Sequence, residues 1–104
     1  MAFTIRPQEE AKKIMDERQD IVILDVRTQE EFDLGHIKNA ILIPDFEIED
    51  TAEDILLDKN QLILVYCRSG RRSKLAASDL SAMGYKNVKE FGGIIVWPYE
   101  IVTE

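Results

Sequence analysis

The chain has almost no cysteine: among its 104 residues, only Cys67 carries a thiol. A single cysteine excludes an internal disulfide and a zinc site built from several thiolates. It also means that no second thiol of the chain can resolve a covalent adduct on Cys67. Any group that Cys67 accepts must therefore leave to another molecule.

Long apolar runs are also missing, because no stretch approaches the roughly 20 residues that a membrane-spanning helix needs. The N-terminal sequence MAFTIRPQEEAKK lacks the apolar core of a secretory signal, so the sequence predicts a cytoplasmic protein. Basic residues are in deficit: 13 Lys and Arg against 20 Asp and Glu give a formal net charge of −7. Such a surface repels nucleic acid and anionic membranes, so neither is an expected partner.

The composition and the length of the chain fit a single folded domain. Hydrophobic residues make up 45% of the chain and charged residues 32%, which is typical of globular proteins and not of disordered ones. The length is that of one domain, so we predict a single domain over residues 1–104 with a single site.

Helical signals recur along the chain. Apolar residues at helical spacing follow Pro7, Thr28 and Glu31 form a capping-box pattern, and Gly84 stands where a left-handed C-terminal cap belongs. The predicted helices are residues 7–18, a short helix between Thr28 and Gly35, a helix within the acidic segment 45–57, and a helix that starts at Ser73.

Strand signals alternate with these helices. Residues 21–26 and 62–66 are apolar and rich in β-branched side chains, as strands buried on both faces of a parallel sheet are. Shorter apolar stretches at 40–43 and 88–91 add further strands. The sequence therefore predicts an α/β fold in which helices cover both faces of a mostly parallel sheet.

The segment after the second long strand carries the chemistry. Cys67 lies between a buried strand and a helix start, where ligands bind in open parallel sheets. The helix dipole and the nearby Arg68, Arg71 and Arg72 favour the thiolate, which is the nucleophilic form of cysteine. Ser69 and Gly70 keep the loop narrow, so that its backbone N–H groups can form an anion nest around the sulfur.

A lone cysteine is more often a small core residue, and arginines are more often part of a solvated turn. Three arginines within five residues of an acidic chain, directly after a buried strand, favour a functional thiol instead.

At these residues the chain resembles the rhodanese family. The first half of the resemblance rests on Asp25, Val26, Arg27, Glu31, Phe32, Gly35, His36, Ile37, Ala40, Ile43 and Pro44. The second half rests on Tyr66, Cys67, Ser69, Gly70, Arg72, Ser73, Ala76, Ala77, Leu80, Gly84, Tyr85, Val88, Gly92, Gly93 and Trp97. The order and spacing of these motifs together make the resemblance specific.

The resemblance implies a three-layer rhodanese-like fold with a five-stranded sheet. It also implies that sulfane sulfur moves from a donor such as thiosulfate to cyanide or a cellular thiol through a persulfide on Cys67. No metal or organic cofactor is required. The substrate-binding loop would consist of Arg68, Ser69, Gly70, Arg71, Arg72 and Ser73.

Two other functions stay open. The chain could be a persulfide carrier or a binding module that serves one protein partner. A persulfide carrier would also need Cys67. A related branch with a similar fold performs phosphatase chemistry with a Cys-x5-Arg loop. Here Arg72 lies five residues after Cys67 and Ser73 lies six after it, so the loop resembles the shorter, sulfur-binding form.

Three further polar residues have either a structural or a catalytic role on sequence grounds. Asp25 and Arg27 lie at the end of the first long strand, where such pairs more often organise loops than steer substrate. His36 is the only histidine, and its position after Gly35 favours loop packing over proton transfer.

Overall fold

The computed structural model describes residues 6–103, which form four strands and four α-helices in alternation. The strands are β1 (Ile21–Asp25), β2 (Ile41–Leu42), β3 (Leu62–Cys67) and β4 (Asn87–Gly93). The helices are α1 (Pro7–Glu17), α2 (Gln29–Leu34), α3 (Ile48–Ile55) and α4 (Arg71–Ala82), with short 3-10 helices at Asp45–Glu47 and Ile94–Val96.

The four strands form one sheet in the order β2-β1-β3-β4, and every pairing is parallel. The predicted α/β architecture is therefore confirmed. The resemblance implied five strands, and for the described residues this number is wrong. The described chain after Trp97 makes only an isolated antiparallel bridge between His36 and Val102, which is too short to extend the sheet.

Alternation along the central strands builds two apolar layers. Val22, Ile63 and Val65 belong to a buried cluster on one face, which α3 and α4 cover through Ala52 and Leu80. On the other face Ile23, Leu64 and Tyr66 pack with Ala11 of α1, Phe91 and Trp97. Both faces of the sheet are thus dry, which explains the continuous apolar runs of β1 and β3.

Capping residues and prolines in the sequence predicted most helix ends correctly. Thr28 and Glu31 form the predicted capping box at the start of α2, and Pro7 stands at the first position of α1. The predicted start of α4 at Ser73 is wrong by two residues, because Gly70 caps the helix with a φ of 108° and the helix begins at Arg71. Within residues 6–103, no helix combines the length and apolar character that crossing a membrane requires.

Candidate active site around Cys67

Cys67 is the last residue of β3, which lies between β1 and β4 at the centre of the sheet. The chain turns through residues 68–70 and enters α4 at Arg71. The thiol therefore lies at the carboxyl edge of the parallel sheet, beside the start of a 12-residue helix. Only 1% of the Cys67 surface is exposed. A reagent must therefore reach the sulfur with a small group.

The loop backbone wraps around the sulfur. The Gly70 N–H donates to Cys67 Sγ at 2.9 Å, and Ser73 Oγ lies 3.4 Å from the same sulfur. Gly70 takes a positive φ of 108°, which a residue with a side chain rarely adopts. The structure therefore contains one donor of the anion nest that the sequence predicted, the Gly70 N–H.

β4 supports this loop from the side. A Cβ atom on Gly93 would overlap the backbone carbonyl of Arg68, so glycine is required for the close approach of β4 to the loop. The Ile95 N–H donates to the Arg68 carbonyl at 3.2 Å. The loop is consequently held between the helix that it starts and the strand beside it.

Hydrogen bonding controls the ionisation of Cys67. Burial alone would raise the pKa of the thiol, but the Ser73 hydroxyl and the N–H groups of Ser73, Gly70 and Ser69 outweigh it and lower the pKa from its ordinary value. The direction agrees with the sequence-based prediction, whereas the main cause is hydrogen bonding and not the arginine charges. The arrangement favours a thiolate, which is the nucleophilic form.

The three arginines of the loop differ in their surroundings. Arg72 forms a bidentate ion pair with Glu31 of α2, at 2.7 and 2.9 Å. Arg68 and Arg71 are exposed to solvent. The donor-binding role that the sequence assigned to all three is therefore geometrically open to Arg68 and Arg71, while Arg72 already has a carboxylate partner.

The site contains one acidic residue, Glu90, that sequence reasoning did not single out. Glu90 of β4 accepts hydrogen bonds from the Ser73 hydroxyl at 2.6 Å and from the Gly92 N–H at 2.7 Å. The Ser73 hydroxyl thus lies within hydrogen-bond reach of Glu90, of the Gly70 carbonyl at 3.0 Å and of the Cys67 sulfur. The only sequence signal was the position of Glu90 two residues before the Gly92 and Gly93 pair, which does not by itself point to a cysteine.

Asp25 and Arg27 lie in a buried ion pair at the end of β1. Arg27 donates to both Asp25 oxygens, and its Nη2 also donates to the Gly35 carbonyl at 2.7 Å. His36 stacks on Phe32 and donates through Nδ1 to the Phe32 carbonyl at 2.9 Å. These contacts organise the loops around α2. Among residues 6–103, no three His, Cys, Asp or Glu side chains are grouped to hold a metal ion.

Known proteins resemble this chain in sequence and in fold. The family model of the Rhodanese-like domain matches residues 7–97. The thiosulfate sulfurtransferase PspE of Escherichia coli is 39% identical over 68% of this chain and 68% of its own length. A solved structure, a rhodanese-like domain protein from Staphylococcus aureus, is 34% identical, covers 96% of each chain and superposes with a TM-score of 0.81.

Other relatives carry the same region within longer chains. The adenylyltransferase and sulfurtransferase UBA4 of Candida albicans is 36% identical over 95% of this chain, which spans only 24% of that protein. YrkF of Bacillus subtilis, provisionally described as a sulfur carrier protein, is 39% identical over 74% of this chain and 40% of its own length. These relatives support a role in sulfur transfer. Since the matched region contains every described strand and the whole Cys67 loop, the chain belongs to the Rhodanese-like domain family.

Proposed function

We propose that this protein is a sulfurtransferase that takes sulfane sulfur from thiosulfate and passes it to a thiol or to cyanide through a persulfide on Cys67. The observation that carries the proposal is the Cys67 sulfur at the end of β3, with the Gly70 N–H 2.9 Å away and a pKa below its ordinary value. PspE, which shares 39% identity, is a thiosulfate sulfurtransferase and supports the same donor.

The reaction has two steps. In the first, the Cys67 thiolate attacks the outer sulfur of thiosulfate, a bond forms from Sγ to that sulfur, and the sulfur–sulfur bond of thiosulfate breaks as sulfite leaves with its electron pair. In the second, cyanide or a thiolate attacks the outer sulfur of the persulfide and regenerates the Cys67 thiolate. No external oxidant is needed. With a thiolate acceptor one sulfur–sulfur bond replaces another, and with cyanide the sulfur–sulfur bond is replaced by the carbon–sulfur bond of thiocyanate.

The site suits this chemistry physically. Backbone N–H groups of residues 68–73 can stabilise the negative terminal sulfur of the persulfide, and they need no reorganisation as its charge develops. The exposed cations of Arg68 and Arg71 lie on the loop that an anionic donor approaches. The near-complete burial of Cys67 favours a donor that presents a single atom, as thiosulfate does.

A second candidate is a persulfide carrier that delivers sulfur to one protein partner. The likeness to YrkF favours it, because that protein is described provisionally as a sulfur carrier. Both functions use the same Cys67 persulfide. They differ in turnover: a sulfurtransferase cycles rapidly with small donors and acceptors, whereas a carrier loads once and waits for its partner.

The test is the intact mass of the protein after incubation with thiosulfate, compared between wild type and Cys67→Ser. We expect a gain of one sulfur atom in the wild type only, reversed by cyanide with release of thiocyanate. Rapid catalytic release of thiocyanate indicates the enzyme, and stoichiometric release indicates the carrier. If no sulfane donor produces an adduct on a thiol that iodoacetamide still alkylates, sulfur transfer is wrong.

A further inference from the structure

The Ser73 hydroxyl has several acceptors within reach. Its oxygen lies 2.6 Å from Glu90 Oε1 and 3.4 Å from Cys67 Sγ. Besides Glu90 and the Cys67 sulfur, the backbone carbonyls of Gly70 and Gly92 lie 3.0 and 3.4 Å from the same oxygen. A hydroxyl has a single proton to donate, so it cannot serve a thiolate and a carboxylate with full strength at once. The shorter distance gives Glu90 the stronger hydrogen bond.

The position of Glu90 is itself fixed. The same Oε1 atom accepts the Gly92 N–H at 2.7 Å, and the side chain is partly buried on β4 beside the Cys67 loop. Because the backbone of Gly92 holds this oxygen, the carboxylate faces Ser73 in a defined geometry. The contact between Glu90 and Ser73 is therefore part of the architecture and not a chance surface pairing.

We propose that Glu90 is a positioning residue that competes with the Cys67 thiolate for the Ser73 proton. In the thiol form, Cys67 S–H donates to Ser73 Oγ while the Ser73 hydroxyl donates to Glu90. In the thiolate form, the hydroxyl must turn toward the sulfur and leave Glu90. This inference deepens the proposed function, since it concerns the same thiol.

The competition has a consequence for sulfur loading. Once a persulfide forms, the negative charge lies on the outer sulfur, Sγ becomes neutral, and the Ser73 hydroxyl can donate to Glu90 again. Glu90 thus destabilises the free thiolate relative to the loaded form. A thiolate that is less stabilised is also the better nucleophile, so Glu90 trades thiolate abundance for reactivity.

The other charged groups near Cys67 and Glu90 are either paired with a carboxylate or exposed to solvent. Arg72 on α4 pairs with Glu31 on α2 and also feels Asp45, while Lys89 on β4 pairs with Glu10 on α1 at 2.9 Å. Arg68 and Arg71 extend from the loop into solvent. Within the described residues, Glu90 is the carboxylate that accepts from Ser73. Because Glu90 also accepts from the Gly92 N–H, its substitution must be compared with and without the Ser73 hydroxyl.

The first test measures the thiol pKa by ultraviolet thiolate absorbance in the absence of any sulfur donor, with Cys67→Ser as the blank. We expect Glu90→Gln to lower the pKa of Cys67 by about one unit, because the amide retains the shape but removes the charge that holds the Ser73 proton. Glu53→Gln, which makes the same charge change on α3, is the control and should leave this pKa unchanged. Glu90→Asp withdraws the carboxylate from Ser73 and should lower it by a smaller amount.

The second test repeats the comparison in a Ser73→Ala background. If Glu90 acts through the Ser73 hydroxyl, the shift caused by Glu90→Gln shrinks to less than half. An equal shift in both backgrounds would show that Glu90 acts through space, and no shift in the Ser73-containing protein would show that it does not act on Cys67; either result overturns the proposal. Because no donor is present, the outcome stands apart from whether thiosulfate loads Cys67.

Discussion

At the scale of single residues, the proposed function assigns the binding of thiosulfate to Arg68 and Arg71, which are exposed, because Arg72 is paired with Glu31. We expect Arg68→Gln and Arg71→Gln each to raise the KM for thiosulfate by up to about five-fold, since an exposed charge pair contributes about 0.2 to 1 kcal/mol. kcat should change less. The measurement is steady-state thiocyanate formation at low salt.

The matched control is Arg18→Gln, which removes the same charge at the opposite edge of the sheet, where Arg18 pairs with Asp20. Its KM should stay at the wild-type value. An equal rise in KM for this variant would show that net charge, and not the loop arginines, governs thiosulfate binding.

The sequence was sufficient to place Cys67 between a buried strand and a helix start, because this pattern depends on residues close together in the chain. The sequence was not sufficient to find the partner of Arg72, although it shows the charge of this residue. The sequence showed Glu31 in the capping box with Thr28 and among the residues of the family resemblance, but not as a partner of Arg72. That contact depends on how α2 packs beside α4.

At the scale of secondary-structure elements, the Glu31–Arg72 ion pair links α2 to α4 across the carboxyl edge of the sheet. The Arg72 hydrogen bonds, opposed by partial burial, lower the pKa of Glu31 from 4.5 to about 2. A carboxylate with a lowered pKa in the folded state stabilises the fold above its ordinary pKa, and this contribution is lost as the pH falls toward about 2.

We therefore expect the free energy of unfolding of the wild type to fall more steeply between about pH 5 and pH 2 than that of Glu31→Gln. Glutamine keeps the capping box but removes the charge that Arg72 binds. Glu30→Gln, an exposed neighbour on the same helix, is the control, and urea unfolding at several pH values is the measurement. Parallel pH curves for wild type and Glu31→Gln would contradict the expectation.

Element boundaries show what local signals can and cannot do. The caps of α2 were predicted correctly because Thr28 and Glu31 are three residues apart and interact within one turn. The start of α4 was predicted two residues late, since the apolar face of Ala76, Leu80 and Met83 does not mark the first turn and Gly70 was taken only as a loop residue. Gly70 caps the helix in a left-handed conformation with a φ of 108°, which glycine adopts without strain and which a hydrophobic pattern does not reveal.

At the scale of the whole molecule, the two apolar layers hold the sheet that positions Cys67. Leu64 lies in the middle of β3 with 1% of its surface exposed. We expect Leu64→Ala to lower the free energy of unfolding by about 2 to 5 kcal/mol, because it leaves a cavity between the sheet and the helix layer. Leu57→Ala, at an 80% exposed position, should change it by less than about 0.5 kcal/mol.

Urea unfolding followed by circular dichroism measures both variants. The folded fraction of Leu64→Ala should still form a persulfide, because the Cys67 sulfur belongs to the opposite layer of the sheet. A Leu64→Ala protein as stable as the wild type would show that this layer contributes little to the fold.

The sequence by itself determined the alternation of strands and helices, the burial of β1 and β3, and the placement of Cys67 between strand and helix, because each depends on residues close together in the chain. Only the tertiary structure decided which side chains meet the loop. Glu31 reaches Arg72 from 41 residues away, and Glu90 reaches Ser73 from 17 residues away. Such contacts depend on strand order and helix packing, which bring distant segments to one edge of the sheet and which no local pattern encodes.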